Sequence, residues 1–493
     1  MFLDEYKTKK EVIQMTDSNF YNDSRVRSLT KFNEKYAFTM VIIFSLMPLM
    51  AMFSPESFGP LFTGIAQLEI IALFVLGIFQ LISYASFSSR KYDASERMSL
   101  CIGRAKNSLL KNKAGILFLA VFVISAVSSF FAEDTQRALY GTDFRPDGMR
   151  MYTCFAAVFV FASLIKNKTL KNRIFIVNML CFVPISLVVI QQYFGIIGSA
   201  GVKDAGAFGQ YLSSIYDEWG IRYGHFYKGA TGCFYNLNHV GYYIVMCSML
   251  ISGKVFTSKT LKATVLWSVF ALYSYYVMIV NDTFGGYLAI LVTTIIMPVF
   301  VLIKFKNKTR ALVTKAFLPL VIFLCLSIVF MVADPSANPI SRNFRIFGND
   351  IETVTTSENI EEETAGSGRL EMWLATVDMI KERPILGYGP DNLKEHYVER
   401  EVDLDRAHNE PIERAVATGI PSAIIYYAAI AWAIFTFIKS KRKYSNESYF
   451  IPMMATVAYL VSSLTGVFLF YTAGFFFMYL AMATSWDPAE ELE

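Results

Sequence analysis

Apolar runs of roughly 18 to 22 residues recur along the whole chain, each long enough to cross a hydrocarbon core of about 30 Å as a helix. Within hydrocarbon every backbone N–H and C=O must find its partner inside the protein, which leaves helices or a closed barrel. A barrel would show alternating strands of about 10 residues, whereas runs such as Val41 to Met52 are apolar without a break. Only 17% of the 493 residues are charged, against about 25% for a soluble domain. The chain is therefore predicted to be an all-α polytopic membrane protein.

Twelve spans are expected, at residues 36–53, 61–85, 114–132, 150–165, 174–195, 236–252, 263–280, 285–303, 316–333, 415–438, 449–466 and 467–485. Residues 1–35 mix acids and bases with no apolar h-region, so the first span is expected to act as the anchor. Charge sets the orientation. With the amino terminus in the cytoplasm, the inner segments hold 30 of the 45 Lys and Arg residues and the outer loops 15. Nine of those 15 lie in one loop of about 80 residues, and long loops cross regardless of charge. This reading gives a cytoplasmic segment at 1–35, spans one to nine across 36–333, a large extracytoplasmic loop at 334–414, spans ten to twelve across 415–485, and a cytoplasmic tail at 486–493.

A formal charge of +4, spread over membrane-flanking loops, gives no basic surface for nucleic acid. Of six cysteines, Cys101 falls in an inner loop and Cys154, Cys181, Cys247 and Cys325 in helices. That leaves Cys233 in an outer loop and implies neither a disulfide framework nor a metal site. The halves show no repeat, and the spans carry almost no ionisable group apart from Glu69. Both features argue against a transporter built from repeated halves. Glu69 is expected to be lipid-facing or to serve an interfacial structural role, with a functional role as the alternative.

Chemistry is expected in the large outer loop. Leu370, Trp373, Val377 and Ile380 recur at helical spacing, forming a stripe suited to the membrane surface. Ser367 is the expected cap. Arg369 then falls in the first turn, where free amides and the positive helix end already favour an anion. Pro384 closes the helix. The glycines of Pro384-Ile385-Leu386-Gly387-Tyr388-Gly389-Pro390-Asp391-Asn392 allow a tight turn into a second short helix ending near Glu399. The loop ends on Ala407-His408-Asn409-Glu410-Pro411-Ile412-Glu413, with Thr418-Gly419 inside the tenth span.

In that order, R-x-x-x-W, P-x-L-G-x-G-P and H-N-x-x-x-E before a T-G-containing span resemble the O-antigen ligase and polymerase family. Arg145-Pro146-Asp147-Gly148-Met149-Arg150, Gln191-Gln192-Tyr193-Phe194-Gly195, and Gly229-Ala230-Thr231-Gly232-Cys233-Phe234 to Asn238-His239 extend the resemblance upstream to about residue 114. One departure is Asn281-Asp282-Thr283-Phe284-Gly285-Gly286, where such proteins often carry a Ser-Arg pair. The missing arginine leaves Arg222, Lys228 or another cation to replace it.

The resemblance implies a GT-C-like fold with the large loop between helices 9 and 10. It also implies transfer of a whole glycan from undecaprenyl diphosphate to an acceptor hydroxyl on a glycan or lipid, inverting and without metal or other cofactor. Arg369 is the first candidate for the departing diphosphate, since forked and permanent charge suits phosphate. Arg145, Arg150 and Arg222 come next, set against arginines that only snorkel to the interface. His408 is the candidate base, because imidazole titrates near neutral pH, and Glu413 would orient it. The bland alternatives are a cap for the helix at Asn409 and a first-turn acid. His239 is a further candidate for the glycan or diphosphate, unless Asn238-His239 only caps the sixth span. His225 and His396 rank lower. Trp373 could stack on sugar, although interfacial anchoring competes. Asp403 and Asp405 are expected not to hold metal, and Glu361-Glu362-Glu363 is expected to be solvated. A repeat-unit polymerase of the same family and, from another class, a lipid-linked oligosaccharide flippase are the rival functions.

Overall fold

The computed structural model describes residues 24–53, 58–88, 113–142, 145–197, 211, 214–215, 218, 230–234, 236–306, 308–333, 338–356, 369–400, 402, 405–466 and 468–485. Among them the regular elements are all helices. They are α1 (Ser24–Met52), α2 (Phe58–Ser88), α3 (Lys113–Phe130), α4 (Thr135–Tyr140), α5 (Met149–Leu164), α6 (Lys168–Tyr193), α7 (Leu237–Thr257), α8 (Leu261–Asn281) and α9 (Phe284–Lys304). There follow α10 (Arg310–Ala333), α11 (Pro339–Thr356), α12 (Arg369–Glu382), α13 (Lys394–Val398), α14 (Glu410–Thr418), α15 (Ile420–Lys439), α16 (Lys441–Tyr444), α17 (Glu447–Ser463) and α18 (Ala473–Thr484).

Each of the twelve expected spans overlaps a helix, the tenth overlapping two, α14 and α15. Nine of these are long and apolar enough to cross a membrane by length and composition: α1, α2, α3, α6, α7, α8, α9, α10 and α15. The other three, α5, α17 and α18, have 16, 17 and 12 residues. The helix ends fall into two groups. At one end Glu34 accepts from the amides of Lys166 and Asn167, Lys168 pairs with Glu447, and Lys443 donates to the carbonyl of Thr484. At the other, Asp147 accepts from the amide of Phe470, and Asn409 donates to the carbonyl of Leu464. The three shorter helices each run from one of these groups of contacts to the other.

Association inside a bilayer rests on close packing, since lipid is as apolar as leucine. The bundle centres on α7, 89% of whose apolar window is buried, whereas α10, at 22%, is peripheral. α7 packs on α8, α9 and α17, and α18 on α5 and α17, so the last two helices thread back into the core. Gly474 lets α18 lie against the rings of Phe44 and Phe155, where a Cβ would clash. Between α17 and α18 the described residues 464–466 and 468–472 are non-helical. The sequence predicts a turn of only a few residues there, with the last span starting at 467. Instead Leu469, Phe470 and Tyr471 are buried, enclosed by the surrounding protein.

Three further expectations change. The tenth span does not run unbroken from residue 415. It is divided at Gly419, whose φ of +88° ends α14, while the amide of Ile420 donates to the carbonyl of Pro384 (2.9 Å). A Cβ at Gly419 would strike the carbonyl oxygen of Ile385, so the kink is the seat of the 384–389 turn. Glu69 is not lipid-facing. It is fully buried within α2, and neither of its oxygens has a hydrogen-bond partner among the described residues. Nor is the stripe expected on the membrane surface presented whole, since Trp373 and Ile380 are half-buried against the loop's own core. Met372, Thr376 and Met379 are buried against Tyr388, Tyr397 and Val416, while Val377 is exposed, because the helix packs on its own loop and α14.

Candidate functional site

The site lies at the end of the bundle where the 133–148 connection, the 383–393 turn, the 405–409 segment, α14 and the 464–472 connection meet. Gly387 and Gly389 have φ of +66° and +93°, a conformation open to glycine but costly for residues with a Cβ. This turns the amides of Tyr388 and Gly389 onto the carbonyls of Val416 (3.0 Å) and Ala417 (2.8 Å). Those carbonyls belong to the last turn of α14, where the helix supplies no partners of its own. A second clamp joins the turn to the first large connection. The amide of Asp134 donates to Asn392, which returns a bond to the carbonyl of Asp134, and Arg137 pairs with Glu395 at 2.7 Å.

Arg406 is the centre. Its guanidinium, 7% exposed, donates to Asp147 at 2.6 Å, Asp391 at 2.8 Å and Glu413 at 3.2 Å. The other oxygen of Asp147 accepts from the amide of Phe470 at 3.1 Å. One cation thus ties four segments that are distant in sequence. Arg145 pairs with Asp405 beside it. Asp147, Tyr152, Asp405, Arg406, Glu413 and Phe468 help line a cleft of about 410 Å³. On α14, Glu410, Glu413 and Arg414 are buried on one face. Arg414 lies 3.7 Å over the Tyr426 ring and 4.4 Å over that of Phe468, and Glu410 accepts from the Tyr426 hydroxyl at 3.0 Å.

Burial sets the protonation of this cluster, because it disfavours the charged form unless an opposite charge compensates. It pushes Asp147 up to about 6, with Arg406 opposing and Asp391 reinforcing. It pushes Glu413 up to about 7, again against Arg406, and raises Glu410 despite Arg414. At Asp405 burial also works upward, but Arg406 and Arg145 outweigh it and the carboxyl is lowered. Burial acts to lower Arg406, yet the facing Asp147, Glu413 and Asp391 hold it raised.

His408 sits at the mouth of this cluster with a φ of +46°, a strained conformation for a non-glycine residue. It is held on both sides. The indole of Trp373 donates to the carbonyl of Ala407 at 2.8 Å. Asn409 caps α14, accepting from the amide of Ile412 at 3.2 Å. His239 is buried, stacks on Tyr471 with centroids 4.8 Å apart, and lies within electrostatic reach of Arg406, His408, Arg145 and Asp405. Its Nδ1 has no hydrogen-bond partner among the described residues. The cap of α7 is Asn236, which accepts from the amide of Asn238 at 2.8 Å, so His239 is not needed for capping.

The structure therefore gathers Arg145, His239, His408 and Glu413. Glu413 bonds Arg406 instead of orienting His408, because the guanidinium fills the space toward which its carboxylate points. Arg150 turns back to the carbonyl of Tyr140 at 2.9 Å. Trp373 holds the histidine segment. The His396 ring lies tilted against that of Tyr388, with centroids 4.3 Å apart, and supports the turn. α12 begins at Arg369, whose side chain, with Arg222, His225, Lys228, Glu361, Glu362, Glu363, Ser367 and Asp403, lies outside the described residues. At the departure from the Ser-Arg pattern, Asn281 bonds the carbonyls of Ala230 (3.0 Å) and Leu237 (3.3 Å), and Asp282 pairs with Arg342. Sequence reasoning missed Arg406, Asp147, Asp391, Glu410 and Arg414. Asp147 and Asp391 stood inside quoted motifs, and Asp405-Arg406-Ala407-His408 placed the cation two residues from the histidine.

No curated protein matches the chain. Residues 268–427, from within α8 to the first turns of α15, match the family model Wzy_C, described as O-antigen ligase. That stretch holds Arg369, Asp391, Arg406, His408 and Glu413, while Arg145, Asp147 and His239 lie upstream of it. With its helical bundle and this match, the chain is a multi-pass membrane protein in which residues 268–427 are similar to the O-antigen ligase family.

Proposed function

We propose that the chain is a membrane glycosyltransferase of cell-surface polysaccharide assembly in the bacterial inner membrane. It moves a glycan en bloc from undecaprenyl diphosphate to an acceptor hydroxyl at the extracytoplasmic face, inverting and without a metal ion. The observation that carries this reading is the meeting of His408, His239 and the Arg145–Asp405 pair at one mouth of the bundle, with His408 and Asp405 inside the region that matches the ligase family. In the reaction the acceptor oxygen attacks the anomeric carbon, the bond from that carbon to the diphosphate oxygen breaks, and the hydroxyl proton passes to His408. Arg369 at the start of α12 and Arg145 meet the charge growing on the departing diphosphate. Such a donor is worth about 2.7 to 4 kcal/mol of barrier in a dry site. Arg406, being enclosed by carboxylates, positions the loop and does not touch the donor.

This reading places residues 334–414 outside and both termini in the cytoplasm. The acceptor decides between ligase and polymerase, since both use the same class of donor. The test supplies purified, reconstituted protein with lipid-linked oligosaccharide in the presence of a chelator. Release of undecaprenyl diphosphate with a new glycosidic bond is expected, and product length then separates ligase from polymerase. Movement of the intact donor across the bilayer without bond formation would establish a flippase instead.

A further inference from the structure

At the opposite end of the bundle, α6, α7, α17 and α18 enclose a second cleft of about 390 Å³ that glycan transfer does not use. Its polar wall is made of donors. Lys254 gives one of its three donor positions to Asn172 Oδ1 at 2.8 Å and lies 4.9 Å over the Phe175 ring. Lys171, 2% exposed, donates to the Met482 carbonyl at 2.8 Å and to Ser485 Oγ at 3.1 Å, lies 3.8 Å over the Tyr449 ring, and so braces the wall. The Tyr479 hydroxyl is buried and has no hydrogen-bond partner among the described residues. The lining carboxylate, Glu447, is engaged by Lys168 at 2.9 Å. The other wall is apolar, with Ile174, Leu250 and Ile451 prominent.

We infer that this cleft binds the headgroup of an anionic phospholipid. A phosphodiester offers two charged acceptor oxygens, matching the Lys254 ammonium and the orphan phenol. Basic pockets between membrane helices are suited to such headgroups. A small free anion would leave the apolar wall wet, whereas the glycerol and first acyl carbons of a lipid cover it. The end of the bundle also fits, since Glu34, Lys168, Lys254 and Lys443 gather there. Assignment to the cytoplasmic leaflet rests on the proposed orientation. Binding itself does not, and its readout is independent of glycan transfer, so either proposal can fail alone.

The experiment is native mass spectrometry of the purified full-length protein titrated with phosphatidylglycerol or phosphatidylcholine. Wild type should retain phosphatidylglycerol preferentially. Lys254→Gln should weaken it about fivefold, the size of one basic contact near the surface, and Tyr479→Phe should weaken it as well. Lys254→Arg should restore binding, and Lys308→Gln, exposed outside the cleft, should leave it unchanged. Equal retention of the two lipids, or undiminished binding in both Lys254→Gln and Tyr479→Phe, would overturn the inference. So would inorganic phosphate displacing the lipid at equal concentration, which would make the cleft a site for soluble phosphate.

Discussion

Replacing Arg406 with methionine keeps much of the side chain's bulk but removes the guanidinium that Asp147, Asp391 and Glu413 share at 2.6, 2.8 and 3.2 Å. Each charge pair at such range is worth about 4 kcal/mol at an effective dielectric constant near 20. The cost of desolvating the ions offsets much of this. Removing one partner from a buried network nevertheless leaves uncompensated carboxylates and costs about 3 to 5 kcal/mol. The variant has one escape, which is protonation. Asp147 and Glu413 already titrate at about 6 and about 7, and without the cation both move higher. The deficit should therefore shrink by about 1 to 3 kcal/mol between pH 7.5 and pH 5.5, because each tenfold gain in proton affinity is worth about 1.4 kcal/mol. Equilibrium unfolding in mixed micelles, followed by tryptophan fluorescence at both pH values, measures it. A loss below about 1 kcal/mol at both would refute the buried ion cluster.

The wild type should show the same chemistry more weakly. The two raised carboxyls make the folded state hold more protons than the unfolded one from about pH 4 to pH 7. Unfolding free energy should therefore fall as pH rises through that window and level off above it, and a flat profile would contradict the assignment. Gly419→Ala forces a Cβ into positive φ against the Ile385 carbonyl. It should destabilise by about 1 to 3 kcal/mol or more, measured by the same titration. Purified His408→Ala should remain folded and lose transfer by about 10² to 10⁴-fold. Arg369→Ala should lose about 10² to 10³-fold, and wild-type turnover in either variant would remove that residue from the mechanism.

Helices were legible because a bilayer demands long apolar runs, and that signal is local. α5 and α17 fall close to their expected limits, whereas α18 starts at 473 instead of 467, because neighbouring protein encloses the irregular backbone ahead of it. The turn at Gly387 and Gly389 and the cap at Asn409 were also readable, since each depends on a few adjacent residues. Arg406 was not. Its partners Asp147, Asp391 and Glu413 come from three segments, and no spacing rule links residue 147 to residue 406. The same holds for α12, where the face toward the protein could be chosen only once α14 was known to pack against Met372 and Met379. Glu69 was misplaced for a related reason, because burial against neighbouring helices leaves no mark in the sequence of α2.

Everything chemical in this account requires the Arg406 end of the bundle to face away from the cytoplasm. The direct measurement is side-selective labelling of intact cells with a membrane-impermeant maleimide. It compares Glu399→Cys, beside α13 at that end, with Arg442→Cys in α16 at the other, using the unsubstituted protein as blank. The account predicts that Glu399→Cys is labelled in intact cells and that Arg442→Cys is labelled only after permeabilisation. The reverse pattern would put His408 in the cytosol and contradict glycan transfer at the outer face.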